Sequence, residues 1–342
     1  MALPTERLGT TDMTITRVGF GAWAIGGGDW AFGWGPQDDE DSIASIRHAV
    51  EVGVNWIDTA AAYGLGHSEE MVGRALRDLP EPDRPYVFTK CGLVWDEAAP
   101  RDDPRRVAAP ASIRREAEDS LRRLGVDRLD LLQLHWPPDD GTPLDDYWAT
   151  LVALRDEGKI SAAGLSNHDV KQLEAAERIG HVDSLQPPFS AVQRDAGGAE
   201  IPWCRAHGTG VIVYSPMQSG LLTGSFSRER AKRLPPNDWR AGHSDFTGDG
   251  LDRNLALAAA LGEVARRHGV PTAAVAVAWT LAWPGVTGAI VGARRAEQVD
   301  GWLPGADLTL GEADRAEIAA AIERTGAGRG PARPTAADAT EA

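Results

Sequence analysis

The chain has 342 residues, 35 Lys and Arg against 50 Asp and Glu for a formal charge of −15, and 2 Cys. That length buries a large core without staples, two cysteines build neither a disulfide framework nor a four-ligand zinc site, and a sequence pI near 5.0 argues against non-specific nucleic-acid binding. No apolar run is long enough to span a membrane and residues 1–13 lack the apolar region of a signal peptide, so the expectation is a cytoplasmic protein without nucleic-acid or membrane partners.

In chain order, 6–9 and 13–16 read as a short hairpin turning at Thr10-Thr11-Asp12, placed to cap the bottom of a barrel. Short apolar runs then alternate with helical periodicity, the pattern of parallel βα units. Strands are expected at 18–21, 54–58, 86–90, 131–135, 162–166, 184–186, 211–214 and 288–291. Helices are expected near 39–52, 68–77, 112–124, 145–157, 169–178, 201–207 and 272–282. Eight such strands predict an α/β fold, a closed (β/α)8 TIM barrel, as one domain over 1–325. Residues 217–250 are aperiodic and rich in Gly, Pro, Ser and Arg, which predicts a functional or mobile loop. Residues 326–342 have almost no core-forming side chains and are expected to be a disordered tail.

Side chains at the C-terminal ends of barrel strands face the site of chemistry. Three consecutive strands end in Asp58, Lys90 and His135, with Tyr63 five residues past Asp58. Taken singly, Asp58 can cap a turn and His135 can be a satisfied core histidine, but a lysine ending Tyr-Val-Phe-Thr must be paired or exposed. Together they make a proton-transfer set. A nearby ammonium should lower the Tyr63 pKa, Asp58 should neutralise Lys90, and His135 should orient a carbonyl, making Tyr63 a general acid, or a base in reverse. No side chain donates hydride, so a nicotinamide cofactor is required. No third ligand accompanies Asp58 and His135, so no metal is expected.

Trp23, Trp30 and Trp34 follow the first strand and, with Trp95 and Trp136, either wall an apolar substrate pocket or simply pack over the rim. Gly27-Gly28 lacks the spacing of a dinucleotide fingerprint. Cys91 should point away from Lys90 by strand alternation and is read as structural.

The order Asp58-x4-Tyr63, Lys90, His135 resembles the catalytic tetrad of the aldo-keto reductases. So do Gly-Val-Asn-Trp-Ile-Asp-Thr-Ala-Ala-Ala-Tyr-Gly around it, Leu131-Leu132-Gln133-Leu134-His135, Gly164-Leu165-Ser166-Asn167, Tyr214-Ser215-Pro216-Met217 and Gly220-Leu221-Leu222-Thr223-Gly224. The likeness runs over about 6–325 and implies a barrel holding NADPH or NADP+ across its C-terminal mouth. It implies Ser166, Asn167 and Gln186 at the carboxamide, Tyr214 stacked on the nicotinamide, Trp23 beside the cofactor, and Ser215, Met217, Ser219 and Leu221 along the pyrophosphate. Gly292, Arg294 and Gln298 would surround the adenosine, Arg294 taking the 2′-phosphate, since a guanidinium forks onto phosphate. Arg294-Arg295 could equally be a solvated basic pair.

Many family members carry Lys-Ser at the positions of Gly292-Ala293 and Arg at Gln298. Gly-Ala-Arg-Arg is similar instead to a branch with bacterial stress and inositol-associated reductases and potassium-channel β subunits. The activity implied is reduction of a small aldehyde or ketone with NADPH. Alternatives are an NADP-dependent alcohol or sugar dehydrogenase, or a slow NADPH-binding redox-sensing protein. A Schiff-base aldolase using Lys90 and a metal hydrolase fit the residues less well.

Overall fold

The computed structural model describes residues 2–28, 30–235 and 238–334. Its strands are β1 (Thr5–Arg7), β2 (Thr14–Thr16), β3 (Val18–Gly21), β4 (Trp56–Asp58), β5 (Tyr86–Cys91), β6 (Leu93–Val94), β7 (Arg105–Arg106), β8 (Leu129–Leu134), β9 (Ile160–Ser166), β10 (Ser184–Gln186), β11 (Gly210–Val213) and β12 (Gly288–Gly292). Eight of them, β3, β4, β5, β8, β9, β10, β11 and β12, are parallel and close into a barrel, β12 pairing back onto β3. This is the expected (β/α)8 fold, with every predicted strand present within two residues at either end.

The β1–β2 hairpin seals the bottom. Leu8, Met13 and Ile15 enter one buried cluster with Trp56, Phe88, Leu131, Ala162, Ile212 and Ile290 from the barrel interior. The Trp56 indole donates to the Thr16 carbonyl at 2.8 Å. Gly19 makes room for that ring: a Cβ there would lie 2.2 Å from it. The larger core lies between the outer strand faces and the helices. With its lower end plugged by apolar side chains, the barrel offers only its upper end for polar chemistry.

Residues 217–250 hold structure that periodicity could not reveal, because each piece is too short to repeat. A turn at Leu221–Thr223, a helix at Arg228–Lys232 and turns at Trp239–Ala241 and Ser244–Phe246 gather round Leu221, Phe226, Phe246 and Leu251. The helices Gly248–His268, Ala296–Trp302 and Glu312–Thr325 were also not anticipated.

Residues 326–334 depart from the expected tail. The buried Arg194 guanidinium donates to the carbonyls of Ala327 (3.2 Å), Gly330 (3.2 Å) and Pro331 (3.1 Å), and the Arg329 amide donates to the Val192 carbonyl at 2.9 Å. One arginine satisfying backbone carbonyls orders this segment, with only the small Ala327 and Ala332 reaching the core, which is why composition missed it. The rest of the expected tail, 335–342, lies outside the described residues. No described helix is long and apolar enough to cross a membrane.

Candidate active site

Asp58 ends β4, Lys90 lies one residue from the end of β5, and His135 follows β8 directly. Parallel register brings them to the same end of the barrel beside Tyr63. Lys90 is almost wholly buried, and its Nζ donates to Asp58 Oδ1 (2.5 Å), the Thr59 carbonyl (2.9 Å) and Tyr63 Oη (3.4 Å). All three ammonium protons are therefore directed. The second Asp58 oxygen accepts from Gln186 Nε2 at 2.9 Å. Burial pushes the Asp58 carboxyl up and the Lys90 ammonium down, while each charge holds the other ionised.

Tyr63 departs from expectation. Burial and then the Asp58 charge push its phenol well above 10, because Lys90 is already matched by Asp58 and lies nearer to it. The phenol is thus held protonated, the state of a proton donor. His135 is held well below its ordinary value by burial, by Lys90 and by Arg106, so its imidazole is neutral. Its ring centroid is 5.7 Å from that of Tyr63.

The loop carrying Tyr63 is set by two glycines. Gly64 has φ +58°, and a Cβ there would sit 1.8 Å from the Gly26 carbonyl oxygen. The two backbones touch with no space for a side chain, fixing the start of the Tyr63–Gly66 turn against the Trp23–Ile25 turn.

Above this set opens a cavity of about 1010 Å³. Asp58, Tyr63 and His135 line it, and so do Trp23, Ser166, Asn167, Gln186, Tyr214, Ser215, Met217, Ser219, Gly292, Arg294 and Gln298. Trp30, Trp34 and Trp136 line it as well. Three expected residues do not. Lys90 lies buried behind the lining on Asp58, Trp95 lies outside it, and Leu221 is buried among Phe226, Phe246 and Leu251. Cys91 packs in the outer core, as alternation predicted.

Asn167 spends its amide on the protein: Nδ2 donates to the His135 carbonyl (3.0 Å) and Ser166 Oγ (3.1 Å), and Oδ1 accepts from Tyr214 Oη (2.8 Å). Among the described residues, non-glycine positive φ occurs at Leu65, Asn167, Ser215, Gln218 and Ser219, and all but Leu65 line the cavity. Such strain concentrates where a ligand is held.

Arg294 is tied to the loop after β3. Its Nε donates to Gln37 Oε1 (2.6 Å), its Nη1 to the Trp34 carbonyl (3.4 Å) and its Nη2 to the Pro36 carbonyl. Arg240, which sequence reasoning missed, lies 4.7 Å over the Trp34 ring while paired with Asp238 and bonded to the Ser219 carbonyl (3.1 Å). Trp34 thus joins the loop after β3 to the 217–250 segment across the mouth. Arg230, Gln193 and Arg329 also line the cavity and were not anticipated. Only lone arginines in aperiodic stretches could have hinted at them.

The lining suits an elongated, phosphate-bearing ligand. The indole N–H groups of Trp34, Trp239 and Trp302, all on lining residues, are shut from water and bond to nothing among the described residues. Buried unpaired donors are costly unless an acceptor arrives. Gln218, Ser219 and Gly220 carry successive positive φ values of 46°, 50° and 90°, backbone of the kind that cradles anions. Among the described residues no cluster of His, Cys, Asp or Glu could hold a metal ion.

The sequence profile of the Aldo/keto reductase family matches residues 17–323. The NADH-specific methylglyoxal reductase of Escherichia coli (strain K12) is 35% identical over 329 residues, spanning 93% of this chain and 98% of its own. Aldo-keto reductase YhdN of Bacillus subtilis (strain 168) is 33% identical over 316 residues, 92% of each chain. The solved glycerol dehydrogenase AKR11B4 from Gluconobacter oxydans superposes with a TM-score of 0.86 at 35% identity, covering 98% of this chain and 99% of its own.

Proposed function

The chain belongs to the aldo/keto reductase family of oxidoreductases, and on that premise we propose that it reduces a small aldehyde or ketone to an alcohol, with Tyr63 as the general acid and NADPH as the preferred cofactor. The observation that carries this reading is Lys90 Nζ, bonded at once to Asp58 and Tyr63 beside a neutral His135. Ser166 and Gln186, with unspent hydrogen-bonding capacity, would hold the nicotinamide carboxamide, and Asn167 would hold the Tyr214 ring in place beside it. The phosphates would lie along Ser215, Met217 and Ser219, and the adenosine among Gly292, Arg294 and Gln298. A reduced nicotinamide bound there supplies the hydride that no side chain can.

The chain's own residues do the rest. His135 donates its N–H to the carbonyl oxygen and orients it. Tyr63 Oη gives its proton to that oxygen as the carbonyl carbon gains hydride. The phenolate left behind is stabilised by Lys90, whose Nζ already points at it. Solvent then returns the proton to Tyr63, and the alcohol leaves.

The preference for NADPH is supported by charge: Arg230, Arg240 and Arg294 line the cavity, with Arg295 next in sequence, in a protein of net charge −15. The Escherichia coli relative is named NADH-specific, so both cofactors belong in the test. Alcohol oxidation by the same residues run backwards is the second reading, favoured by the relative titled a glycerol dehydrogenase. A cytoplasmic location accompanies either reading.

The experiment is NADPH and NADH consumption with a panel of aldehydes and ketones, for wild type and Tyr63→Phe. The variant should lose about 10²–10⁴-fold in kcat while its cofactor Kd stays unchanged. An unaltered kcat would overturn the proton-donor role. Failure of the wild type on every carbonyl, with turnover of alcohols, would favour the second reading.

A further inference from the structure

The hairpin that interrupts the barrel after β5 carries a cation whose charge helps keep His135 neutral but whose N–H donors the reaction itself does not use. β6 and β7 pair antiparallel with Leu93 directly opposite Arg106. Residues directly opposite in such a pair project from the same face, and Leu93 lines the cavity. Arg106 therefore projects from the same hairpin face as Leu93, though it is not itself one of the lining residues. Its guanidinium rests 4.7 Å from the ring centroid of Trp136, itself a lining residue and next in sequence to His135. The backbone beneath is fixed, since the Asp139 amide donates to the Arg106 carbonyl (3.1 Å) and the Val107 amide to that of Gly92 (3.1 Å).

Arg106 is exposed, ordered on an aromatic platform, and pairs with no carboxylate among the described residues. Asp140, beside the hairpin, is spent on the amides of Ala108 (3.0 Å) and Thr142 (3.0 Å). Nor, among the described residues, does the cavity supply a free anion: Asp58 is the one described carboxylate in the lining, and Lys90 and Gln186 occupy it. A second guanidinium, Arg329, lines the cavity with its Nε on Asp195 and its terminal amines unspent among the described residues. The walls between are apolar, from Trp30, Phe32, Leu93 and Pro104.

We propose that Arg106, seated on Trp136, receives the carboxylate of the substrate, so that the preferred substrates are aldehydes or ketones with an apolar body and an anionic end. This rests on the reductase reading above and adds the substrate class to it. A guanidinium offers a carboxylate two parallel N–H bonds and, on an aromatic face, loses little freedom in making them. The carbonyl end then points past Trp136 toward its sequence neighbour His135.

The test pairs 4-formylbenzoate with its neutral methyl ester, in wild type, Arg106→Gln and Arg106→Lys, at low and high salt. Wild type should favour the acid roughly five- to tenfold in kcat/KM at low salt, through KM rather than kcat, and lose part of that preference at high salt. Arg106→Gln should abolish the preference, and Arg106→Lys should restore part of it. A ratio of acid to ester that is the same in wild type and Arg106→Gln overturns the proposal. Benzoate against benzamide binding, followed by saturation-transfer NMR, judges Arg106 without turnover: benzoate should bind more tightly to wild type and lose that advantage in Arg106→Gln, and equal binding to both proteins refutes the assignment. Absence of turnover with either aldehyde would count against the reductase reading, while the benzoate result would still decide Arg106.

Discussion

Truncating Arg294 to alanine separates two jobs that one guanidinium can perform at once. Three of its five N–H donors already hold the loop after β3, through Gln37, Trp34 and Pro36, and Gln37 Nε2 answers by donating to the Arg294 carbonyl at 2.9 Å. That loop carries Trp34, which spans the mouth to Arg240. Loosening it should weaken any dinucleotide, with or without a 2′-phosphate. At about 1 kcal/mol net per hydrogen bond, and with the 3.4 Å contact counted as weak, the shared loss is about 1–2 kcal/mol, or roughly 5–30-fold in Kd. Two donors are left over. If they meet the 2′-phosphate, NADPH should lose a further ~1.5 kcal/mol, roughly tenfold, for a charge-assisted bond in a half-buried setting. Fluorescence titration of wild type and Arg294→Ala with NADPH and NADH reads both quantities. An unchanged NADPH to NADH ratio refutes the phosphate contact, and an undiminished affinity for NADH refutes the loop clamp.

Two further outcomes follow from the same geometry. The His168 imidazole is buried, held to about 4 by that burial, and bonded to the Ser166 carbonyl (2.8 Å) and Tyr147 Oη (3.1 Å). The unfolded chain takes up a proton there near pH 6.5 and the folded protein only near 4, so stability should fall by about 3 kcal/mol as pH drops through that window; urea titrations at pH 7 and 4.5 should show this loss shrink in His168→Asn, and an identical loss in the variant would be decisive against it. Gly64→Ala must displace the Gly26 carbonyl, which would lie 1.8 Å from the new Cβ, so kcat should drop at least about tenfold with the far-ultraviolet circular dichroism retained; wild-type turnover would show that the Gly26–Gly64 contact does not position Tyr63.

The barrel was legible because its strands are short apolar runs with sharp ends, and the ends carry the titratable side chains. Asp58, Lys90 and His135 could be read as one set since parallel register delivers strand ends to the same layer. What escaped was whatever depends on single long side chains crossing between segments. Arg194 ordering 326–334, Arg240 over Trp34 and Arg106 over Trp136 leave no periodic trace, and each arginine in sequence looks like solvated charge. The reading of Tyr63 failed for a related reason. Adjacency to a lysine suggests a lowered phenol pKa, but the sign turns on whether Asp58 has already claimed that ammonium, and a 2.5 Å bond shows that it has.

This division has a consequence for how such a molecule can change its substrate. The proton-transfer set sits on strand ends whose interior partners are buried, where removing one member of the Lys90–Asp58 pair leaves an uncompensated charge at a cost of about 3–5 kcal/mol. The groups proposed for recognition sit elsewhere, on the β6–β7 hairpin, the loop after β3, the 217–250 segment and the docked C-terminal stretch. There Arg106 and Arg329 are exposed, and replacing either orphans no buried group. The chain can therefore exchange the charge at the cavity rim without disturbing the barrel, whereas any change at Lys90 is felt first as lost stability. Substrate class should accordingly follow the few rim arginines, and reaction chemistry the strand ends.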